Sequence, residues 1–287
     1  MIQIDLESSI KIAILSFLLT WPSTGGGIDH TVELTNFLSK AGYRVRHFHA
    51  RYDPWGIGRI DGNSPLTTTS IAFDEASWNA ATIRERFRSA VNAFDPDAVI
   101  IMDSWNFKPH LAQAVSDYPT FLRFQALECL CPLNNLRLIP IGPGQLEQCP
   151  SHQFATPDLC RQCLVERGHL SGSLHKAERA LAGVVSAEYD DMLRSALWEA
   201  EGILVLNPIT EAMLSPFAKR VHVVPWGMDK ARFPWPIAVR SVGEKLNLLV
   251  RGYPEMLPKP NRLHSTGFGA DSQIEPVYVK FLDVGLF

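Results

Sequence analysis

The sequence predicts an α/β protein built on a doubly wound, mostly parallel sheet. Three observations carry that prediction. Short apolar runs alternate, along the first 230 residues, with stretches whose apolar residues recur at helical spacing. Several of the runs, such as Ile12-Ala13-Ile14-Leu15, are apolar at every position, as strands buried on both faces are. A glycine-rich turn follows the first run and precedes the first helix, the order of a nucleotide-binding βαβ unit.

The elements follow in order. After Ile12-Ala13-Ile14-Leu15 comes the loop Trp21-Pro22-Ser23-Thr24-Gly25-Gly26-Gly27. Leu34, Phe37, Leu38 and Ala41 then mark a helix that Gly42 stops, and residues 43–48 read as the second strand. Ile83, Phe87, Ala90, Val91 and Phe94 form a second helical stripe, broken by Asp95-Pro96-Asp97 before the strand at 98–102. Leu111, Ala112 and Val115 suggest a short helix, and residues 120–124 a strand. Leu174, Ala177, Leu181, Val184 and Val185 predict one long helix running towards Leu197. Residues 202–206 and 221–224 supply two last strands around a short helix near 210–214. Ligands of such sheets sit at the carboxyl ends of the strands, which here carry Gly25, Gly26, Gly27, Asp103-Ser104-Trp105, Gln125, Asn207 and Trp226-Gly227.

Two stretches break the rhythm. Residues 127–170 have no clean period and hold all five cysteines, so they read as an insertion with its own small structure. The stretch from Ile237 offers one strand, Leu246-Asn247-Leu248-Leu249-Val250, before prolines and glycines punctuate it. The expected organisation is one domain over residues 1–236 and a tail over 237–287.

Composition bounds the function classes. With 287 residues, 46% hydrophobic and 20% charged, the chain has the makings of a substantial core and is not disordered. A net charge of −3 gives no overall field for nucleic acid or an anionic membrane, so no nucleic-acid partner is expected. No apolar run approaches the ~18 residues of a transmembrane segment, and the N-terminus lacks the basic region of a secretory signal. The expectation is a cytoplasmic protein, with the inner membrane surface as a further place of action.

The glycine turn lets backbone approach a ligand closely and aims amide N–H groups at a phosphate near the helix N-terminus. It is neither GxGxxG nor a Walker loop, and a plain flexible βα turn is the alternative. His30 lies in the first turn of the helix behind it, where a neutral imidazole can meet a hydroxyl or phosphate, or merely line the loop. Trp226-Gly227-Met228-Asp229 follows a strand and Pro225; Asp229 there either caps a turn or accepts sugar hydroxyls.

The cysteine cluster makes a separate prediction. Cys160-Arg161-Gln162-Cys163 is a CxxC, with ten residues between Cys149 and Cys160 and seventeen between Cys131 and Cys149. CxxC places two thiolates on one side of a tetrahedral ion, and a small insertion gains from such a staple, so Cys131, Cys149, Cys160 and Cys163 are expected to bind a structural zinc. Cys129 and His152 are spare candidates, an iron–sulfur cluster uses the same ligands, and half-buried free thiols are the alternative. A thioredoxin-like role is disfavoured because the CxxC is not expected to open a helix after a strand.

Together, Gly25-Gly26-Gly27, His30, Leu34, Leu38, Gly42 and Val45 resemble the opening of retaining, nucleotide-sugar-dependent glycosyltransferases with two facing Rossmann-like domains, the GT-B fold of the family 4 group. Val224-Pro225-Trp226-Gly227-Met228-Asp229, with Arg232-Phe233 after it, resembles the motif that closes that family's N-terminal domain. The resemblance covers about residues 10–236. It implies a nucleotide-sugar donor, a sugar or glycan acceptor bound mainly by this domain, and no cofactor for catalysis. It also implies that Gly26 and Gly27 face the donor phosphates across the cleft. Asp103, Trp105, His110 and Arg123 are acceptor candidates by position, beside His30, Trp226, Gly227 and Asp229.

The family's donor-binding features do not follow Phe233: no pair of glutamates separated by seven residues occurs, and Leu248-Leu249-Val250-Arg251-Gly252 alone is similar to the donor domain's opening strand. The expectation is therefore the acceptor-binding half of a truncated or split enzyme, inactive alone and completed by a separate C-terminal domain chain. The competing class is a non-catalytic ligand-binding or interaction module on the same half-fold. A nicotinamide oxidoreductase is disfavoured, since GxGxxG is missing and His49-Ala50-Arg51 stands where an acidic residue would end the second strand.

Overall fold

A computed structural model describes residues 10–23, 25–102, 104–142 and 145–227. The strands in chain order are β1 (Lys11–Ser16), β2 (Arg44–Arg51), β3 (Thr68–Ala72), β4 (Ala98–Ile101), β5 (Thr120–Arg123), β6 (Leu138–Gly142), β7 (Gln145–Gln148), β8 (Gly202–Val205) and β9 (Val221–Val223). Seven of them form one sheet in the order β3-β2-β1-β4-β5-β8-β9, and every pairing in it is parallel. The helices are α1 (Gly26–Lys40), α2 (Ala80–Phe94), α3 (Lys108–Ala114), α4 (Pro157–Arg167), α5 (Ser173–Ala182), α6 (Ala187–Glu199) and α7 (Pro208–Leu214). The expected Rossmann-like α/β class is what forms. Among the described residues, those flanking residues 138–148 hold the sheet as one unit, and residues 138–148 belong to a second, in which β6 and β7 pair as an antiparallel hairpin.

Strand side chains alternate between two faces, and the helices divide unevenly between them. Ala13 and Leu15 of β1, Val99 and Ile101 of β4 and Leu122 of β5 pack with Ile83, Phe87 and Val91 of α2, Leu111 of α3 and Leu193 and Leu197 of α6. Ile12 and Ile14 of β1 and Ile100 of β4 face the other way and meet Leu34 and Leu38 of α1.

The structure departs from the sequence reading at three places. Phe37 of α1 is exposed; the buried residues of that helix are Ile28, Thr31, Val32 and Thr35. Threonine is tolerated inside because its hydroxyl bonds the carbonyl four residues back, as Thr31 does to Gly27 (3.0 Å) and Thr35 to Thr31 (2.7 Å). The expected long helix is two, because Gly183 adopts φ +68° and ends α5, while Ser186 starts α6 by accepting from the Tyr189 N–H (3.1 Å). The seventh strand, β3, is illegible in the sequence because its Thr68-Thr69-Ser70 lacks an apolar run. Residues 160–163 lie within α4, which opens at Pro157, so the CxxC sits inside a helix and does not open one after a strand. The strand expected at 246–250 lies outside the described residues.

Glu178 of α5 is fully buried and accepts from Asn106 Nδ2 (3.1 Å). Burial pushes its carboxyl pKa up to about 8, against the opposing pull of that hydrogen bond. Between about pH 4.5 and 8 the folded protein therefore holds a proton that the unfolded chain has released, and stability falls as pH rises through this window. We predict that Glu178→Gln flattens a slope of up to about 1.4 kcal/mol per pH unit, read by urea unfolding between pH 5 and 8.

Candidate functional site

The carboxyl edge of the sheet is organised by a buried ion pair. Lys108, the first residue of α3, sends its Nζ back to the carbonyl oxygens of Met102 (2.5 Å) and Arg123 (2.8 Å), where β4 and β5 end. Glu128 lies 3.7 Å from the same ammonium, and both side chains are almost wholly buried. The Glu128 carboxylate in turn accepts from the N–H groups of Gln125 (3.1 Å) and Ala126 (2.7 Å), folding the chain after β5 into a tight turn. Gln125 then donates from Nε2 to the Gly27 carbonyl (3.1 Å), tying this turn to the first turn of α1.

That first turn is the glycine turn. No side chain caps Gly25; its carbonyl accepts from Ile28 and Asp29, and the Ser23 hydroxyl folds back on it. His30 is half-buried, and burial together with the charge of Arg123 pushes its pKa down to about 4, so the imidazole is neutral at pH 7. The Trp226 ring stands 5.4 Å from the His30 ring. A Cβ on Gly26 would come within 2.6 Å of Trp226 Cη2, so Gly26 is the residue that lets this indole lie on the helix start. Gly227 has open space around it.

Arg123, the last residue of β5, is 1% exposed, and none of its three guanidinium nitrogens has a hydrogen-bond partner. Burial lowers its pKa while the charge of Glu128 opposes that shift.

Thus Gly25, Gly26, Gly27, His30, Arg123 and Trp226 meet at one corner, although three separate stretches of sequence supply them. Two other candidates go elsewhere. His110 is buried, with Nε2 donating to the Ala182 carbonyl (2.9 Å) and Nδ1 accepting from Arg84 (2.9 Å); both nitrogens serve helix packing. Trp105 adopts φ +41° and stacks on His175 with 4.0 Å between ring centres. Asp103 and Asp229 lie outside the described residues. A groove of about 700 Å³ between α3 and α6, lined by Gln113, Glu188 and Asp191 among others, contains none of the candidate residues.

Sequence reasoning missed Lys108, Glu128 and a buried histidine pair. His47 bonds Thr68 through Nδ1 (2.7 Å) and Ser16 through Nε2 (3.1 Å), and His49 shares Thr68 Oγ1 (2.8 Å). Burial pushes the pKa of His47 down to about 3, with the charge of His49 adding to the shift, and that of His49 down to about 4, where a backbone hydrogen bond at Gly58 opposes and the charge of Arg51 adds. The available signal was the His-Phe-His alternation, which on a strand puts both rings on one face.

The zinc expectation is not supported. Among the described residues no group of three or more His, Cys, Asp or Glu side chains is arranged to hold a metal ion, and all five cysteines are free. Cys131 and Cys160 are buried, and Cys163 packs on the main core. Burial, reinforced by Cys131, Cys149 and Cys163, pushes the Cys160 pKa up to about 12, so it stands as a protonated thiol. Cys129 donates to the Trp105 carbonyl (3.0 Å) and burial raises its pKa as well. A raised pKa is the reverse of what a reactive CxxC requires.

Neither a protein-family model nor a curated protein matches the chain. Among solved structures it is similar to sucrose-phosphate synthase from Thermosynechococcus elongatus, at 14% identity and a TM-score of 0.43 over 79% of this chain and 53% of that one. It is also similar to Phytolacca americana UGT2 complexed with UDP-2-fluoro-glucose and pterostilbene (16%, 0.41, 77% and 54%). A UDP-glucosyltransferase from Polygonum tinctorium gives 13%, 0.38, 82% and 56%. The chain spans about half the length of these proteins.

The geometry of this corner is open to mutation. Lys108→Met leaves the Glu128 carboxylate without its cation and is expected to cost about 3–5 kcal/mol in denaturant unfolding, with Lys108→Met/Glu128→Gln recovering part of the loss. Gly26→Ala is expected to cost about 1 kcal/mol, because the half-exposed indole can give way. In a Trp226→Ala background the same change should be neutral or stabilising, since alanine is the better helix former.

Proposed function

We propose that this chain is the acceptor-binding half of a nucleotide-sugar-dependent glycosyltransferase of the family 4 group, which retains configuration at the anomeric carbon. Donor binding in such enzymes requires a C-terminal domain facing this one. The observation that supports the reading is the meeting of Gly26 and His30 with Trp226. Both family-like motifs lie far apart in sequence and converge at the carboxyl edge of a parallel sheet, where ligands of this architecture bind. The uncapped start of α1 suits the donor phosphates, and a neutral His30 suits a hydroxyl or phosphate oxygen. Trp226, half exposed, offers an apolar face for a sugar ring.

The test fuses or adds a family donor domain to the chain and follows release of nucleoside diphosphate across a panel of nucleotide sugars and sugar acceptors. Turnover is expected only when both parts are present, and Gly27→Val in the two-part protein should abolish it while leaving its unfolding temperature nearly unchanged. Absence of turnover with every donor in a folded two-part protein overturns the reading.

A further inference from the structure

We propose that a phosphoryl group binds between the Arg123 guanidinium and the first turn of α1, with the guanidinium as its buried partner. The choice between a donor and an acceptor phosphate rests on the glycosyltransferase reading; the phosphoryl site itself does not.

Arg123 is an exception among the buried cations. Lys108, Arg137 and Arg179 are its buried counterparts among the described residues, and each donates to backbone carbonyls. Arg123 presents a planar fork of five N–H donors in a buried place and bonds nothing. An unpaired buried charge costs several kcal/mol, and an apolar side chain of similar length would fill the volume without that cost. Its neighbouring acid does not relieve it: the Glu128 oxygens are taken by two backbone N–H groups and by Lys108.

The position of the fork indicates which chemistry would pair with it. Phe121 is opposite Ile100 in the sheet, and Ile100 faces α1; two residues on, Arg123 faces the same way. Gln125, two further, reaches the Gly27 carbonyl. The guanidinium therefore lies on the side of the glycine turn, and its charge depresses the pKa of His30 there. A fifteen-residue helix presents its positive end to the same corner, with no side chain capping Gly25. Access is from this turn, where Gly26 is exposed and Gly27 and His30 are half-buried. A guanidinium fork engages both oxygens of a carboxylate, whereas a tetrahedral phosphoryl group has further oxygens for backbone N–H donors on the opposite side.

The experiment uses the full 287-residue chain and inorganic phosphate, read by ³¹P line broadening and by thermal unfolding against chloride at matched ionic strength. Phosphate is expected to broaden and to raise the unfolding temperature saturably. Arg123→Met should weaken binding by about tenfold or more while unfolding no earlier than the parent without phosphate. Should that variant fail to fold, Arg123→Lys and Arg123→Gln serve, and graded loss of binding supports the site. Equal phosphate binding in any folded Arg123 variant and the parent overturns it. Glucose 6-phosphate and UDP, titrated against phosphate, separate the sources: tighter Arg123-dependent binding of UDP supports a donor phosphate at this site, and tighter Arg123-dependent binding of the sugar phosphate supports an acceptor phosphate. Phosphate binding without turnover in the two-part protein removes the glycosyltransferase reading and keeps the site; turnover undiminished in Arg123→Met does the reverse.

Discussion

The carboxyl edge of this sheet depends on the buried contact between Lys108 and Glu128. A parallel sheet ends in carbonyl groups that point out of the last strand residues, and inside a protein those groups need donors. One ammonium serves two strands at once, binding the ends of β4 and β5, while the carboxylate beside it collects the amides of the following turn. Each half of the pair would be costly alone. Together they fix where Arg123 leaves the sheet and where Gln125 crosses to α1, so the geometry of the glycine turn is set from β5 as well as from β1.

Much of the fold was legible because the strands that matter most are apolar throughout. β1 and β4 are central and β8 lies one strand in from the edge, and each carries a continuous apolar run in its sequence. The elements misread are those whose signal is short-ranged or polar: β3, with its threonines and serine, and the break at Gly183, where one positive φ divides a continuous apolar pattern. Helix α1 shows a further limit. Periodicity located the helix but selected Phe37, which is exposed, over Thr31 and Thr35, which satisfy their own hydroxyls and turn inward.

The site was legible as points and illegible as a figure. Gly26, His30, Arg123 and Trp226 are each marked by residue type and by position at a strand end. Nothing in one dimension says that Trp226 lies on Gly26, or that His110, equally well placed in sequence, turns away to bind Ala182 and Arg84. Lys108 sits at a helix start, where a lysine is ordinarily solvated and unfavourable to the dipole, so its role emerges only from the carbonyls that surround it. The cysteines show the opposite case, a persuasive spacing for which no metal-holding group forms among the described residues; three of the thiols are buried and two half-buried.

The contact of Trp226 with Gly26 joins residues two hundred positions apart in the chain. Contacts of that separation carry the largest loop-closure cost and form late. On a ribosome, the glycine turn is made early and waits through the synthesis of six further sheet strands before the indole that covers it emerges. During that interval the corner is open and bare, held only from the β5 side once Gln125 has arrived. The two family-like motifs are thus also the first and last pieces of the domain's assembly, and the site is complete only when translation has passed residue 226.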